Sequence, residues 1–241
     1  MMKKFLKIRR PMIKTFIKSL KSFPEADEIF NPWWEVDPEN DIDDKGPIIR
    51  RQQLFQYLNE RIGKAKYLLI AEAIGYQGGH FTGIPMTSER ILLGGHAKKG
   101  ILPEHVFSKI EPKRTSRPDL KPNGFSEPTA TIVWGHIIQS NLNPKDFILW
   151  NAFPWHPFKP ESGYLSNRTP TVSEFHAGAH ILTQLIQITK IGNIIAVGEK
   201  SLKMLNKLEI NCIKVRHPAN DGATKYRKQF SNVLAQISKT N

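Results

Sequence analysis

Cysteine is almost absent: Cys212 stands alone among 241 residues. No disulfide can form within the chain, so a disulfide-stapled extracellular scaffold is excluded, and so is a zinc or iron–sulfur site built on cysteines. Cys212 sits in an apolar, strand-like run and reads as a small core residue. Uncharged apolar runs are missing too. None approaches the ~20 residues of a membrane span, and charges interrupt every apolar stretch of the N-terminus, which removes the h-region of a secretory signal. Acids are missing from 1–23, which hold eight Lys/Arg, and Lys and Arg are missing from 25–44, which hold nine acids. Internal repeats and low-complexity tracts are lacking. The expectation is an intracellular protein, cytoplasmic and nucleoid-associated if bacterial, with no membrane partner. Nothing signals an oligomer, so a monomer is expected.

What is present is positive charge. The formal net charge is +13, and residues 45–241 by themselves carry +14. A body this basic calls for a polyanion, with nucleic acid first. Residues 97–127 place Lys98, Lys99, Lys109, Lys113, Arg114, Arg117 and Lys121 among four prolines, an irregular basic surface suited to phosphate contacts. The length suits one α/β domain over 45–241, preceded by a basic-then-acidic extension over 1–44.

In the extension, Phe5, Ile8, Met12, Ile13, Phe16, Ile17 and Leu20 recur near helical spacing. Pro11 is expected to break or kink that helix, which would fold back on the body or lie along DNA. The acidic part, with Pro24, Pro32 and Pro38, reads as an irregular connector. Asp41-Ile-Asp43-Asp-Lys45-Gly46 faintly resembles a calcium loop, but Lys45 and Gln52 stand where oxygen ligands are required. His176 and His180 have the spacing of a zinc pair without an acid between them or a third ligand. No metal and no cofactor is expected.

Three segments carry the chemistry. Apolar, β-branched runs at 66–70, 146–149 and 212–215 read as buried strands, and each is followed at once by a functional side chain: Glu72, Asn151 and His217. Strands also fit 193–197, and helices fit 48–63, 129–140, 175–189, 198–208 and 224–238, with Thr171 and Glu174 forming a capping box. The alternation predicts a three-layer α/β/α sandwich around a central, mainly parallel four-stranded sheet. In such a sheet the carboxyl ends of the strands converge on one crevice. A carboxylate, an amide and an imidazole then meet. Together they suit hydrolysis of an N-glycosidic bond: the carboxylate faces an oxocarbenium-like sugar and positions water, the imidazole donates to the departing base, and the amide holds the base edge.

The order and spacing of these motifs resemble the uracil-DNA glycosylase superfamily over roughly 66–230. AEAIGYQGGHFTGIPMTSE is similar to the first motif, written GEAPG followed by G-x-P-F in iron–sulfur members, and its TGIP stretch to the TGVPF of the single-strand-selective branch. LWNAFP resembles the strand end bearing the uracil-reading asparagine, VGEKSLKML the third-strand turn and helix, and RHPAN the HPS motif. The resemblance implies catalytic Glu72 and His217, backbone of Ile74, Gly75 and Tyr76 on the base or the water, Asn151 on O4 and N3 of uracil, and Tyr76 also as a candidate for excluding a 5-methyl group. An aromatic ring would stack on the flipped base. Met86 replaces the phenylalanine of G-x-P-F, and Phe81 is the expected substitute.

Ala73 stands where other branches carry Asp or Asn. The iron–sulfur cysteines are missing, and Ala219-Asn220-Asp221-Gly222 holds no bulky wedge, a place that Tyr226 or Arg227 would take. Trp155, His156 and Phe158 would shape the pocket or stack on DNA, or else pack the loop. Ser166, Asn167, Arg168, Lys200, Asn220 and Arg227 are candidate DNA contacts. The expected activity is a DNA repair glycosylase that excises uracil or a related deaminated base and leaves an abasic site. A non-catalytic DNA-binding relative and an N-ribohydrolase of free nucleosides or nucleotides stay open, the +14 body arguing against the second.

Overall fold

The computed structural model describes residues 2–22 and 27–240. Pro24 and Glu25, at the head of the acidic stretch, lie outside the described residues. In chain order the elements are α1 (Met2–Ser19), β1 (Ile29–Phe30), α2 (Gly46–Arg61), β2 (Tyr67–Ala73), α3 (Gly79–Thr82), α4 (Glu89–Leu92), α5 (Pro103–Val106), α6 (Pro128–Gln139), β3 (Phe147–Phe153), β4 (His156–Pro157), α7 (Val172–Thr189), β5 (Asn193–Val197), α8 (Glu199–Lys207), β6 (Ile213–Val215) and α9 (Ala223–Thr240). Four strands form a parallel sheet in the order β3-β2-β5-β6, with helices around it. Helices α2 and α7 pack on β3, α8 on β2 and β5, and α9 on β6. This is the expected α/β architecture.

Parallel strands are covered on both faces, which is why they read as unbroken apolar runs. Leu68, Leu69 and Ile70 of β2 and Ile148, Leu149 and Trp150 of β3 are fully buried. Both strands run beyond their apolar runs. Pairing of Ala71 with Asn151 and of Ala73 with Phe153 extends the ladder to the end of each. Glu72 and Asn151 therefore sit on the strands' last turns of pleat rather than in the loops that follow.

The N-terminal extension is packed onto the body. Helix α1 continues through Pro11. Pro11 removes one backbone bond, but the turns after it are pinned by burial of Ile13, Phe16, Ile17 and Leu20. The helix folds back against α2 and α7, with Phe16 5.4 Å from Trp150 and Trp33 stacked on the same indole at 5.9 Å.

The acidic segment is held just as firmly. Arg50, fully buried on α2, makes paired bonds to Asp41 at 2.6 and 3.0 Å and also donates to the carbonyls of Pro32 and Glu35. Such a pair must stay complete, because either partner alone would be an uncompensated buried charge. Asp41 is thus a partner of Arg50, consistent with rejecting the calcium loop.

Helix α7 begins at the expected capping box: Thr171 Oγ1 accepts from the Glu174 amide at 3.2 Å, and Glu174 accepts from the Thr171 amide at 2.7 Å. Thr171→Ala should lower stability by ~1 kcal/mol, read as a shift in the urea midpoint without a change in slope. An unshifted midpoint would show that the Glu174 arm suffices. No described helix is long and apolar enough to cross a membrane.

Candidate active site

A cavity of about 340 Å³ opens at the carboxyl ends of β2, β3 and β6. Glu72, Asn151 and His217 all line it, so the three strand ends do converge. A wider groove of about 750 Å³, walled by α1 and α2 and lined by Arg10, Lys14, Trp34 and Phe55, contains none of them.

Asn151 is 1% exposed. Its Nδ2 donates to the Ala73 carbonyl at 2.9 Å across the β2–β3 pair, while its Oδ1 is buried without a partner. An unmet amide oxygen costs stability unless something else satisfies it. Here the side chain lines a cavity, with one amide proton also to spare. That pattern, an acceptor beside a donor, matches the N3–H and O4 of a pyrimidine-2,4-dione edge.

His217 is half-buried, and its Nδ1 accepts from the Ala219 amide at 3.1 Å. That bond places the ring proton on Nε2. Burial, then Arg216 and Lys200, hold the imidazole below its ordinary pKa, so it is a neutral donor at pH 7. The following turn needs glycine at 222, where a Cβ would lie 2.0 Å from the His217 carbonyl oxygen. Glu72, with its side chain about one quarter exposed, has both oxygens 3.2 Å from Lys200 Nζ, and Lys200 also donates to Thr169 Oγ1.

Residues 63–237 match the family model of the uracil DNA glycosylase superfamily. The chain belongs to that superfamily. Among solved structures, that of wild-type SMUG2 of Pedobacter heparinus aligns with a TM-score of 0.61 at 14% identity, covering 95% of this chain and 98% of that one, a likeness of fold. No curated protein matches.

Several superfamily positions take an unexpected form. Phe81, the expected stacking ring, is fully buried and stacks instead on Phe125 at 4.5 Å; it does not line the cavity. Among the described residues, no Phe, Tyr or Trp lines it. Its apolar walls are Ile74, Ala71, Ala73 and Met86, and Met86 is held at a positive φ of 49°, a strained conformation of the kind found at functional sites. Gly75 is also in the lining, whereas the Tyr76 ring turns edge-on to Phe125 and the Tyr76 amide donates to Asn167 Oδ1 at 3.1 Å. The Ile74 amide donates to the Trp155 carbonyl. Of the three, only the Gly75 N–H donates no hydrogen bond among the described residues.

The candidate DNA contacts divide. Ser166 Oγ is used within its own turn, accepting from the Lys159 amide and donating to the Gly163 carbonyl. Arg168 lines the cavity but is paired with Glu174 and Glu28. Lys200 anchors Glu72 instead of standing free for phosphate. This hydroxyl and these two cations are thus engaged within the protein, although Lys200 stays largely exposed. Asn220 and Arg227 are exposed, Asn220 in a left-handed turn (φ 52°) and Arg227 on α9, outside the cavity lining. Tyr226 is fully buried on Phe230 and cannot serve as a wedge. Lys98, Lys99, Lys109 and Lys113 are exposed and form no ion pair among the described residues.

Trp155, His156 and Phe158 pack the loop. His156 Nε2 donates to the Ser166 carbonyl at 2.7 Å, its Nδ1 meets His80 Nδ1 at 2.9 Å, and His80 Nε2 meets Asp37 Oδ2 at 3.0 Å. His156 must therefore accept from His80, which leaves one proton for the contact between His80 and Asp37. Burial pushes the Asp37 carboxyl up, against its bonds from Asn40 and Glu39 and the charge of Arg50, and pushes His80 well down, so the two groups share that proton out of water. This array joins the extension to the Gly75–Thr82 and Ser166–Arg168 segments that border the cavity. Sequence reading did not assemble it, nor did it place Gln77, Glu127 or Thr129 in the cavity lining.

Proposed function

We propose that the protein is a DNA glycosylase that extrudes a deaminated base, uracil first, into this cavity and hydrolyses its N-glycosidic bond to leave an abasic site. The observation that carries the reading is the buried Asn151 amide, whose Oδ1 lacks a partner while one Nδ2 proton remains available, in one cavity with an anchored carboxylate and a neutral His217. Asn151 would hold N3–H and O4. His217 Nε2–H would donate to O2 as negative charge gathers on the base. Glu72 would face the developing sugar cation and orient the attacking water, with Lys200 holding it in place. Met86 and Ile74 would sandwich the base in place of an aromatic ring. The unpaired lysines of 98–113 would engage phosphates.

The test is base release from labelled oligonucleotides carrying one uracil, in single and double strands, read by cleavage of the abasic site in alkali. Release is expected. Salt-dependent binding without release of any deaminated base would instead identify a non-catalytic relative. Cleavage of free nucleosides alone would identify an N-ribohydrolase.

A further inference from the structure

The cavity holds a second carboxyl that this mechanism does not use. Glu127 precedes α6, and its side chain lies over the turn after β2: a Cβ built on Gly78 would come within 2.0 Å of Glu127 Oε2. The bare backbone of Gly78 is what makes room for it. Glu127 shares the cavity lining with Glu72, Asn151 and His217. It is the N-cap residue of α6, yet its side chain makes no capping bond and no other hydrogen bond or ion pair among the described residues.

The charged and titratable groups around it are all committed. Lys200 is paired with Glu72, and Arg168 with Glu174 and Glu28. His217 is held towards neutrality, as is His96, which reaches Ser126 and Thr131 beside Glu127. The Tyr76 phenol lies on Phe125. With no cation to offset it, burial alone pushes the Glu127 carboxyl up to about 7. An incoming phosphate backbone would favour its neutral form further.

We propose that Glu127 is a further catalytic residue: from its place over Gly78 it donates a hydrogen bond to the flipped base and passes its proton to the base as the glycosidic bond breaks. This rests on the glycosylase reading above. The bond pair of C1′–N goes to the base, the Glu127 proton neutralises it, the water oxygen bonds to C1′, and the proton shed by that water restores Glu127 through solvent. Nothing is oxidised or reduced.

The experiment compares wild type, Glu127→Gln and Gly78→Ala between pH 5.5 and 8.5. It measures single-turnover release from a uracil oligonucleotide and equilibrium dialysis of labelled free uracil. Wild-type release should fall about tenfold per pH unit above ~7, since the acid form is required. Glu127→Gln should be slower by ~10²-fold at pH 6 and lose that limb. Gly78→Ala, whose methyl displaces the carboxyl, should shift the same way even if Glu127→Gln folds poorly. Free uracil should bind wild type more weakly at pH 8 than at pH 6, and Glu127→Gln equally at both. An unchanged pH limb in both variants overturns the inference alone. Wild type that neither releases nor binds base overturns the glycosylase reading and the inference together.

Discussion

Asn151→Ala should lower single-turnover base release by 10²- to 10³-fold, the usual worth of one preorganised donor at a site of developing charge. The loss should appear in the chemical step and in base binding, not in DNA affinity, because phosphate contacts supply most of the latter. Among the described residues the Asn151 side chain makes one hydrogen bond, to the Ala73 carbonyl at 2.9 Å. Its removal leaves that half-buried carbonyl without this donor, a stability cost of about 1 kcal/mol. A folded Asn151→Ala variant with near-normal release would remove the amide from the mechanism. Asn151→Asp adds a finer reading. It keeps an acceptor for N3–H but loses the donor for O4, so it should discriminate against uracil and favour a base that presents a donor at that edge.

The fold and the meeting of three strand ends in one cavity are legible in the sequence. Each functional strand is an apolar run ending in a polar side chain, and a parallel sheet has no other way to end three such runs than at a common edge. Glu72, Asn151 and His217 were found because each adjoins its strand. Glu127 adjoins nothing of the kind. It enters the cavity because Gly78 lacks a side chain, a relation between residues 49 positions apart that leaves no periodic trace. The direction of a side chain was equally hidden: Phe81 lies in the right motif but points to Phe125.

The acidic segment reads as an irregular connector because charges and prolines dominate its composition. It is packed because buried Arg50 and His80 each take one of its carboxyls. Helix α1 passes Pro11 for a related reason, since burial of the turns beyond it outweighs one missing hydrogen bond.

Glu72→Gln should have the largest effect on release, ~10³-fold or somewhat more, at every pH between 6 and 8. Glutamine keeps the size and the hydrogen-bonding capacity, so it tests charge alone. In the superfamily positions at the end of β2 the next residue is Ala73, which offers no second acid or amide. The cation-stabilising role therefore falls on Glu72 alone, while Glu127 is neutral when it acts. Lys200 separates orientation from charge. Lys200→Met frees Glu72 from its two 3.2 Å contacts but leaves its negative charge in place. An ion pair with a lysine this exposed is worth at most ~1 kcal/mol, so release should fall by no more than about fivefold. If Lys200→Met instead matched Glu72→Gln, the lysine itself would be acting on the substrate. If Glu72→Gln released base at nearly the wild-type rate, the anionic group facing the sugar would have to be sought elsewhere in the cavity, and among the described residues Glu127 is the other carboxyl lining it.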